Sequence, residues 1–162
     1  MSVRKDPAET RGYLRYFYRN WRPTRLGRWW SRWYAWLVGL GLLPPMLAAL
    51  HVRDRLTGKV GGVVLVAAEY DGHTYLVSML GEDSQWVQNL RAAHGKAQLK
   101  RGGWKNVTLR EIPAEERAPI IKAWSQVATS GRKHLPVNQD APLESFARIA
   151  PDYPVFRIDE SA

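Results

Sequence analysis

The sequence contains no cysteine, so it can form no disulfide and no thiolate metal site. Its histidines show neither H-x-H nor H-E-x-x-H, the spacings that bring two imidazoles to one metal ion. They are scattered at His51, His73, His94 and His134. Glycine-rich phosphate loops are missing as well, because no segment reads G-x-G-x-x-G or matches a P-loop. We therefore expect no metal, no cysteine nucleophile and no Rossmann or P-loop nucleotide site.

No apolar run is long enough to span a membrane. The best candidate, residues 33–50, is 18 residues long and is interrupted by Pro44 and Pro45, whereas a spanning helix needs about 20 residues. A proline pair ends a helix, because proline lacks the backbone donor and clashes with the preceding turn. The run also lies too far along the sequence to resemble a signal peptide. We therefore expect a cytoplasmic protein, whose contact with the inner face of the cell membrane, if any, is peripheral.

Acidic residues are scarce near the N-terminus. Residues 1–36 carry nine arginines and lysines against two carboxylates, and so hold +7 of the formal net charge of +9. The same stretch contains five of the eight tryptophans. We therefore divide the chain into a basic, tryptophan-rich helical arm, residues 1–45, and a domain, residues 46–162. Three interpretations of the arm stay open: packing on the domain, contact with an anionic membrane surface, and nucleic acid binding, which the sequence favours least.

The rest of the sequence has the pattern of antiparallel strands. Residues 62–69 are rich in valine and form the clearest predicted strand, and Asp71-Gly72 is a strong hairpin signal before a return strand at 73–80. Other strands are predicted at 46–52, 96–100, 106–112 and 153–158. Helices are predicted at 11–21, 26–38, 85–93 and from 113–116 onward, with a polar loop at 129–142. The fold class that follows is α+β, a mostly antiparallel barrel with N-terminal helices and two inserted helices.

Polar residues gather at the ends of the central hairpin. Thr57-Gly58-Lys59 precedes its first strand, Ser78 ends its second, and a glycine-led loop then opens a helix that carries Asn89 and Arg91. The adjacent carboxylates Glu82-Asp83 are better explained as a solvated turn than as a hydrolytic pair. The chemistry left is that of an organic cofactor, which a protein binds and orients.

These residues resemble a known family. The sequence Thr57-Gly58-Lys59, a long strand, an Asp-Gly turn, a strand ending in serine, a glycine loop and W-x-x-N-L-x-A is similar to the deazaflavin-dependent nitroreductases of actinobacteria, also described as quinone reductases dependent on reduced coenzyme F-420. The resemblance covers residues 46–112. It implies a split β-barrel related to flavin-binding oxidoreductases and hydride transfer from the reduced deazaflavin. In some members it also implies a membrane-associated N-terminal helix.

The resemblance implies a role for each matching residue. The cofactor-binding residues would be Arg55, Thr57, Lys59, Ser78, Met79, Gly81, Trp86, Asn89, Leu90 and Arg91. The basic loop at 55–59 would meet the cofactor tail, Ser78 would lie near the ring as the catalytic residue, and Gly81 would let the backbone approach a phosphate. Trp21, His134 and Tyr153 are candidate substrate-pocket residues. Each also has a plainer interpretation: a polar turn, a hydroxyl satisfied within the sheet, core packing or a solvated helix face.

The sequence departs from the family where a cation is usual. Met79 and Leu80 follow the serine in place of Lys-Gly-Gly, and the loop before Trp86 is shorter. A lost charge-assisted hydrogen bond costs about 1.5–3 kcal/mol. Coenzyme F-420 is the cofactor that the resemblance implies, and because of this departure FMN is the second choice. The alternative function keeps the fold without a redox cofactor, binding a hydrophobic ligand or acting on a natural-product intermediate. We expect a small-molecule substrate and a monomer or homodimer.

Overall fold

The computed structural model describes residues 46–101 and 103–160, together with the backbone of Tyr18–Arg19 and Arg22–Pro23. Within the two long ranges, six antiparallel strands form a closed barrel. They are β1 (Leu47–Arg53), β2 (Val60–Tyr70), β3 (His73–Val77), β4 (Lys96–Lys100), β5 (Trp104–Glu111) and β6 (Val155–Glu160). Their order around the barrel is β1-β2-β3-β6-β5-β4, and β4 pairs with β1 to close it. The predicted α+β antiparallel barrel is therefore confirmed.

The barrel interior is filled by every second residue of the strands, as the pleat of a strand requires. The buried strand residues of this cluster are Ala48, Leu50, Val52, Ala67, Leu76, Leu99, Val107, Leu109 and Phe156. Helix α1 (Gln85–Ala92) adds Val87 and Leu90, which lie three residues apart on one face and are fully buried. The helix predicted at 85–93 is thus confirmed, and it packs into the barrel core.

A second core lies outside the barrel wall. Helices α2 (Arg117–Val127) and α3 (Leu143–Ile149) cover the outward residues of the wall, Ala68, Tyr75, Val77 and Val155. Trp124 and Phe146 are the largest side chains buried here. The indole Nε1 of Trp124 donates a hydrogen bond to the carbonyl of Val66, 3.0 Å away, which satisfies the only polar group of a buried tryptophan. Strand β2 therefore contributes one face to each core.

The turn between β2 and β3 has the geometry that its two residues predict. Asp71 and Gly72 have φ angles of 47° and 73°, both in the left-handed region. A two-residue turn of this kind matches the right-handed twist of the paired strands. The predicted Asp-Gly hairpin is confirmed, and it fixes the register of Tyr70 opposite His73.

Several boundaries differ from the sequence-based predictions. Tyr18–Arg19 pairs with Arg22–Pro23 as two short antiparallel strands, so the helix predicted at 11–21 is wrong at those positions, and the rest of that helix and the helix at 26–38 lie outside the described residues. The polar loop predicted at 129–142 contains a short 3-10 helix, Gly131–His134. Helix α3 was not predicted. In the described part of the chain, no helix is long and apolar enough to cross a membrane.

Candidate functional site

The loop between β1 and β2 is organised by the carboxylate of Asp54. Its Oδ1 accepts hydrogen bonds from the backbone N–H groups of Leu56 (2.9 Å) and Thr57 (2.8 Å) and from the Thr57 hydroxyl (3.1 Å). The backbone adds bonds from Gly58 N–H to Asp54 O (2.9 Å) and from Asp54 N–H to Lys59 O (2.8 Å). An aspartate that accepts from the backbone N–H groups two and three residues further on forms an Asx turn. These hydrogen bonds tie together residues 54–59, the Asp54 loop.

Helix α1 holds the Asp54 loop through two amide side chains. Gln85 Nε2 and Asn89 Nδ2 donate to Asp54 Oδ2, at 2.8 and 3.3 Å. The Oδ1 of Asn89 accepts from the backbone N–H of Arg55 (3.2 Å) and from its Nη1 (3.3 Å). Asn89 is only 7% exposed, so both halves of its amide are matched inside the protein. The fold thus brings together two motifs that are 31 to 35 residues apart in the sequence.

The surface of the Asp54 loop is cationic. Arg53, Arg55 and Lys59 are exposed and stand against the single carboxylate of Asp54. Hydrogen bonds from the Thr57 backbone, then from the Gln85 side chain, hold the pKa of Asp54 well below its usual range. Among the described residues, the Lys59 ammonium has no ion-pair or hydrogen-bond partner. The loop can therefore meet an anion with the side chains of Arg55 and Lys59.

Arg91, predicted to bind the cofactor, is already paired with carboxylates. Its guanidinium contacts Glu111 through Nε–Oε2 (2.9 Å) and Nη2–Oε1 (2.6 Å), and contacts Glu82 through Nη1–Oε2 (2.6 Å). These partners raise the pKa of Arg91 above its ordinary value. Glu82 is therefore an ion-pair partner, and the geometry favours a structural role for Arg91 over a cofactor contact.

Ser78, the predicted catalytic residue, has a buried hydroxyl. It is 1% exposed, its Oγ donates to the Gly81 carbonyl (2.9 Å), and it lies 2.7 Å from the hydroxyl of Ser84. Gly81 is buried beside it with φ of 83°, in the left-handed region that favours glycine. The Ser78 hydroxyl thus builds the turn that leads into α1, and as it stands it offers no surface to a substrate.

Three further predicted cofactor contacts lie in or against the cores. Leu90 is fully buried inside the barrel. Trp86 is half-buried and packs edge-on against Phe156, with 5.4 Å between ring centroids. Met79 is half-buried and packs against the outer core. Core packing therefore explains the whole side chain of Leu90. The side chains of Trp86 and Met79 are partly exposed.

Two of the three predicted substrate-pocket residues come together. The Tyr153 hydroxyl donates to the backbone carbonyl of His134, 3.4 Å away, and Tyr153 is 7% exposed while His134 is half-buried. Trp21 lies outside the described residues. In the part of the chain that the structure describes, no group of three or more His, Asp or Glu residues could hold a metal ion.

Asp54 and Gln85 are the site residues that the sequence reasoning missed. An aspartate three residues before a Thr-Gly pair is a local signal for an Asx turn, so the hydrogen bonds from Leu56 and Thr57 to Asp54 could have been predicted. The contact to Gln85 depends on where α1 lies, and no local pattern encodes it.

No family model and no curated protein sequence matches the chain. Solved structures do match it. One, a domain-swapped dimer, has a TM-score of 0.52 at 17% identity and covers 83% of this chain and 96% of its own. A protein of unknown function from Agrobacterium tumefaciens has a TM-score of 0.53 at 13% identity. That match covers 72% of this chain, which spans about half (49%) of the other protein.

A reductase dependent on reduced coenzyme F-420 is also among the matches, at 19% identity over 70% of this chain and 94% of its own. Its TM-score of 0.42 is too low to carry an argument. Identities in this range show the fold alone. The closed six-stranded antiparallel barrel with its packed helices is the split β-barrel architecture that the sequence resemblance implies.

Proposed function

We propose that the protein is an oxidoreductase that uses reduced coenzyme F-420 to reduce a quinone, a nitroaromatic compound or an enone-type acceptor. The observation that carries the proposal is the cationic Asp54 loop fixed to Asn89 of α1. The loop and the W-x-x-N helix are the two parts of the sequence that most resemble the deazaflavin-dependent reductases, and they contact each other directly.

The donor set suits the acidic tail of such a cofactor. Arg55 and Lys59 supply cations and Thr57 a hydroxyl, the groups that bind phosphate and carboxylate oxygens. When bound, the reduced deazaflavin supplies a hydride to the acceptor. The protein's part is to bind the tail at the Asp54 loop and to orient the ring. The half-buried Trp86 and Met79 are proposed to lie beside the ring.

Fluorescence titration with oxidised coenzyme F-420 tests the proposal. We expect saturable binding in the micromolar range, and loss of the reduced cofactor under anaerobic conditions when menadione or a nitroaromatic compound is added. FMN, titrated in parallel, tests the second choice of cofactor. If F-420 does not bind at high micromolar concentration, the proposal is wrong, and binding of FMN in its place would favour the second choice of cofactor.

A second candidate keeps the barrel and omits the redox cofactor. Two observations favour it: Arg91 is paired with Glu82 and Glu111, and the Ser78 hydroxyl is buried. In this candidate the protein binds a hydrophobic ligand or converts a natural-product intermediate. Turnover by protein that contains no flavin favours this candidate, and strict dependence on reduced F-420 eliminates it.

We also propose that residues 1–45 act as a separate arm that contacts a membrane surface peripherally. Its support is the excess of arginine and tryptophan in that stretch. Flotation of the protein with anionic liposomes, compared with a variant lacking residues 1–45, tests this part. Equal flotation of both proteins would reject the arm as the anchor.

A further inference from the structure

We propose that Asp54 is a positioning residue of the cofactor site: its carboxylate is a built-in anion that shapes the Asp54 loop and orients the cations of that loop toward an extended, multiply charged tail. This inference rests on the proposed function, because it concerns the same loop. It assigns a role in anion binding to a residue that is itself negatively charged.

The charge of Asp54 alone opposes anion binding. A carboxylate among Arg53, Arg55 and Lys59 removes one unit of positive charge from the loop, so its electrostatic effect on a nearby anion is repulsive. The hydrogen bonds that Asp54 accepts have the opposite effect on anion binding, because they shape the loop that carries the cations. Asp54 accepts from five donors that belong to two loop residues and two helix residues. Such bonds to an ionised acceptor are about twice as strong as neutral ones.

Backbone N–H groups of the Asp54 loop are already hydrogen-bonded within the protein, and this restricts the kind of anion that can bind. In many phosphate sites the ligand itself takes consecutive backbone N–H groups. Here the N–H groups of Leu56 and Thr57 already point at Asp54 Oδ1. An incoming anion therefore meets only side chains, and Arg55 and Lys59 lie four positions apart on the loop. A ligand with several separated negative charges can use both cations, whereas a single small anion gains little.

Asn89 extends the same arrangement to the Arg55 side chain. Its amide donates to Asp54 and accepts from Arg55, so the carboxylate, the amide and the guanidinium form one chain of contacts. Loss of the carboxylate would leave the buried Asn89 amide with an unmatched N–H, and Asn89 is the residue that accepts from the backbone and side chain of Arg55. The role of Asp54 is therefore indirect, because it acts through the loop and Asn89.

The sign of a mutational effect separates this role from simple electrostatics. Asp54→Asn makes the loop more positive, so electrostatics predicts tighter anion binding, by about twofold to fivefold at low salt. Loss of positioning predicts weaker binding, by about tenfold, the equivalent of one charge-assisted hydrogen bond. Asp71→Asn is the matched control, because Asp71 is exposed at the opposite end of β2 and asparagine tolerates its left-handed φ.

A double variant adds a rescue experiment. In Asp54→Asn the new Nδ2 takes the place of Oδ2 and faces both Gln85 Nε2 and Asn89 Nδ2, so donors meet donors. Gln85→Glu in the same chain restores an acceptor there and returns the net charge to that of the wild type. Positioning predicts that the double variant binds more tightly than Asp54→Asn, and electrostatics predicts that it binds more weakly. Thermal unfolding of each variant checks that the barrel is intact.

Two probes keep the outcomes distinguishable. Oxidised coenzyme F-420 is followed by fluorescence, and inorganic tripolyphosphate by NMR shifts of the Asp54 loop, with monophosphate as the small anion. Weaker F-420 or tripolyphosphate binding by Asp54→Asn, with rescue by the double variant, supports the inference. If tripolyphosphate alone binds in this pattern, the inference stands and the F-420 proposal fails. Tighter binding by Asp54→Asn, or no binding of either probe by the wild type, overturns the inference.

Discussion

Arg91 and Glu111 form a two-pronged ion pair, with Nε–Oε2 at 2.9 Å and Nη2–Oε1 at 2.6 Å. The same Glu111 Oε1 accepts from Nη2 of Arg117, 3.1 Å away. One carboxylate at the end of β5 therefore joins α1, which packs on the barrel core, to α2, which covers the outside of the barrel wall. The side chain of Arg117 is 8% exposed, and its other nitrogens donate to backbone carbonyls, including that of Ile112 at 2.7 Å.

Arg117→Met should destabilise the protein strongly. It leaves the carbonyl of Ile112 without its donor and removes one cation from Glu111, so we expect a loss of about 2–3 kcal/mol in the free energy of unfolding. The measurement is the urea midpoint and slope. Arg110→Met is the control, because its ion pair with Asp159 is exposed and 3.8 Å long and should be worth less than about 1 kcal/mol. Equal losses in both variants would contradict the prediction.

Substitutions at Lys59 and at Arg91 should have different effects, one on cofactor affinity and the other on the stability of the fold. Lys59→Ala removes a surface cation of the Asp54 loop that has no partner among the described residues, so we expect F-420 affinity to fall about tenfold while the urea midpoint stays constant. Arg91→Ala breaks pairs with Glu82 and Glu111, so we expect a lower midpoint and little change in affinity. The reverse pattern would return Arg91 to the cofactor site.

Gly131→Ala should be destabilising for a steric reason. A Cβ at this position would lie 2.7 Å from Cη2 of the buried Trp124, and Trp124 is anchored to the Val66 carbonyl. Forcing extra volume into a packed core costs about 1–3 kcal/mol. Gly61→Ala is the control, since no atom of the residues that the structure describes lies within 4 Å of its Cβ position. Differential scanning calorimetry of the two variants measures the difference in stability. A Gly131→Ala protein as stable as the wild type would contradict the prediction and would show that Trp124 can move.

His51 should make stability depend on pH. Burial, and then the charge of Lys100, lower the pKa of His51 below its ordinary value. As the pH falls below about 6.5, the unfolded chain takes up the proton before the folded protein does, so the free energy of unfolding decreases; above that pH the stability is fully present. His51→Phe should flatten this slope, because it removes the titrating group. Lys100→Met should make the slope shallower, because it removes one cause of the shift. Unchanged slopes in both variants would contradict this assignment.

The strands were predictable because their pattern is local. Valine-rich β2 and the Asp71-Gly72 turn follow from residues within a few positions of one another, and the strand boundaries were off by only a few residues. Helix α3 was missed because it has seven residues and only Phe146 among them is buried. A helix this short is stabilised by its packing on α2 and has no pattern of its own.

The candidate site was predictable only in part, for a related reason. Thr57, Lys59 and Asn89 were singled out from sequence, and the contact between their segments is a property of the fold. The burial of Ser78 depends on the turn formed by Gly81 and Ser84, and the pairing of Arg91 depends on Glu111, 20 residues away. Side-chain contacts over such distances decide whether a polar residue faces a ligand or another side chain.

The position of β6 in the barrel has a consequence for synthesis on the ribosome. This strand follows all the others in the chain but lies between β3 and β5, and Tyr75 pairs with Arg157 across 82 residues of sequence. The barrel wall therefore stays open, with β3 and β5 unpaired on one side, until residue 160 has left the exit tunnel. Strands this far apart in the sequence pair slowly, so the nascent chain exposes the unpaired edges of β3 and β5, which favour aggregation, until β6 enters the sheet.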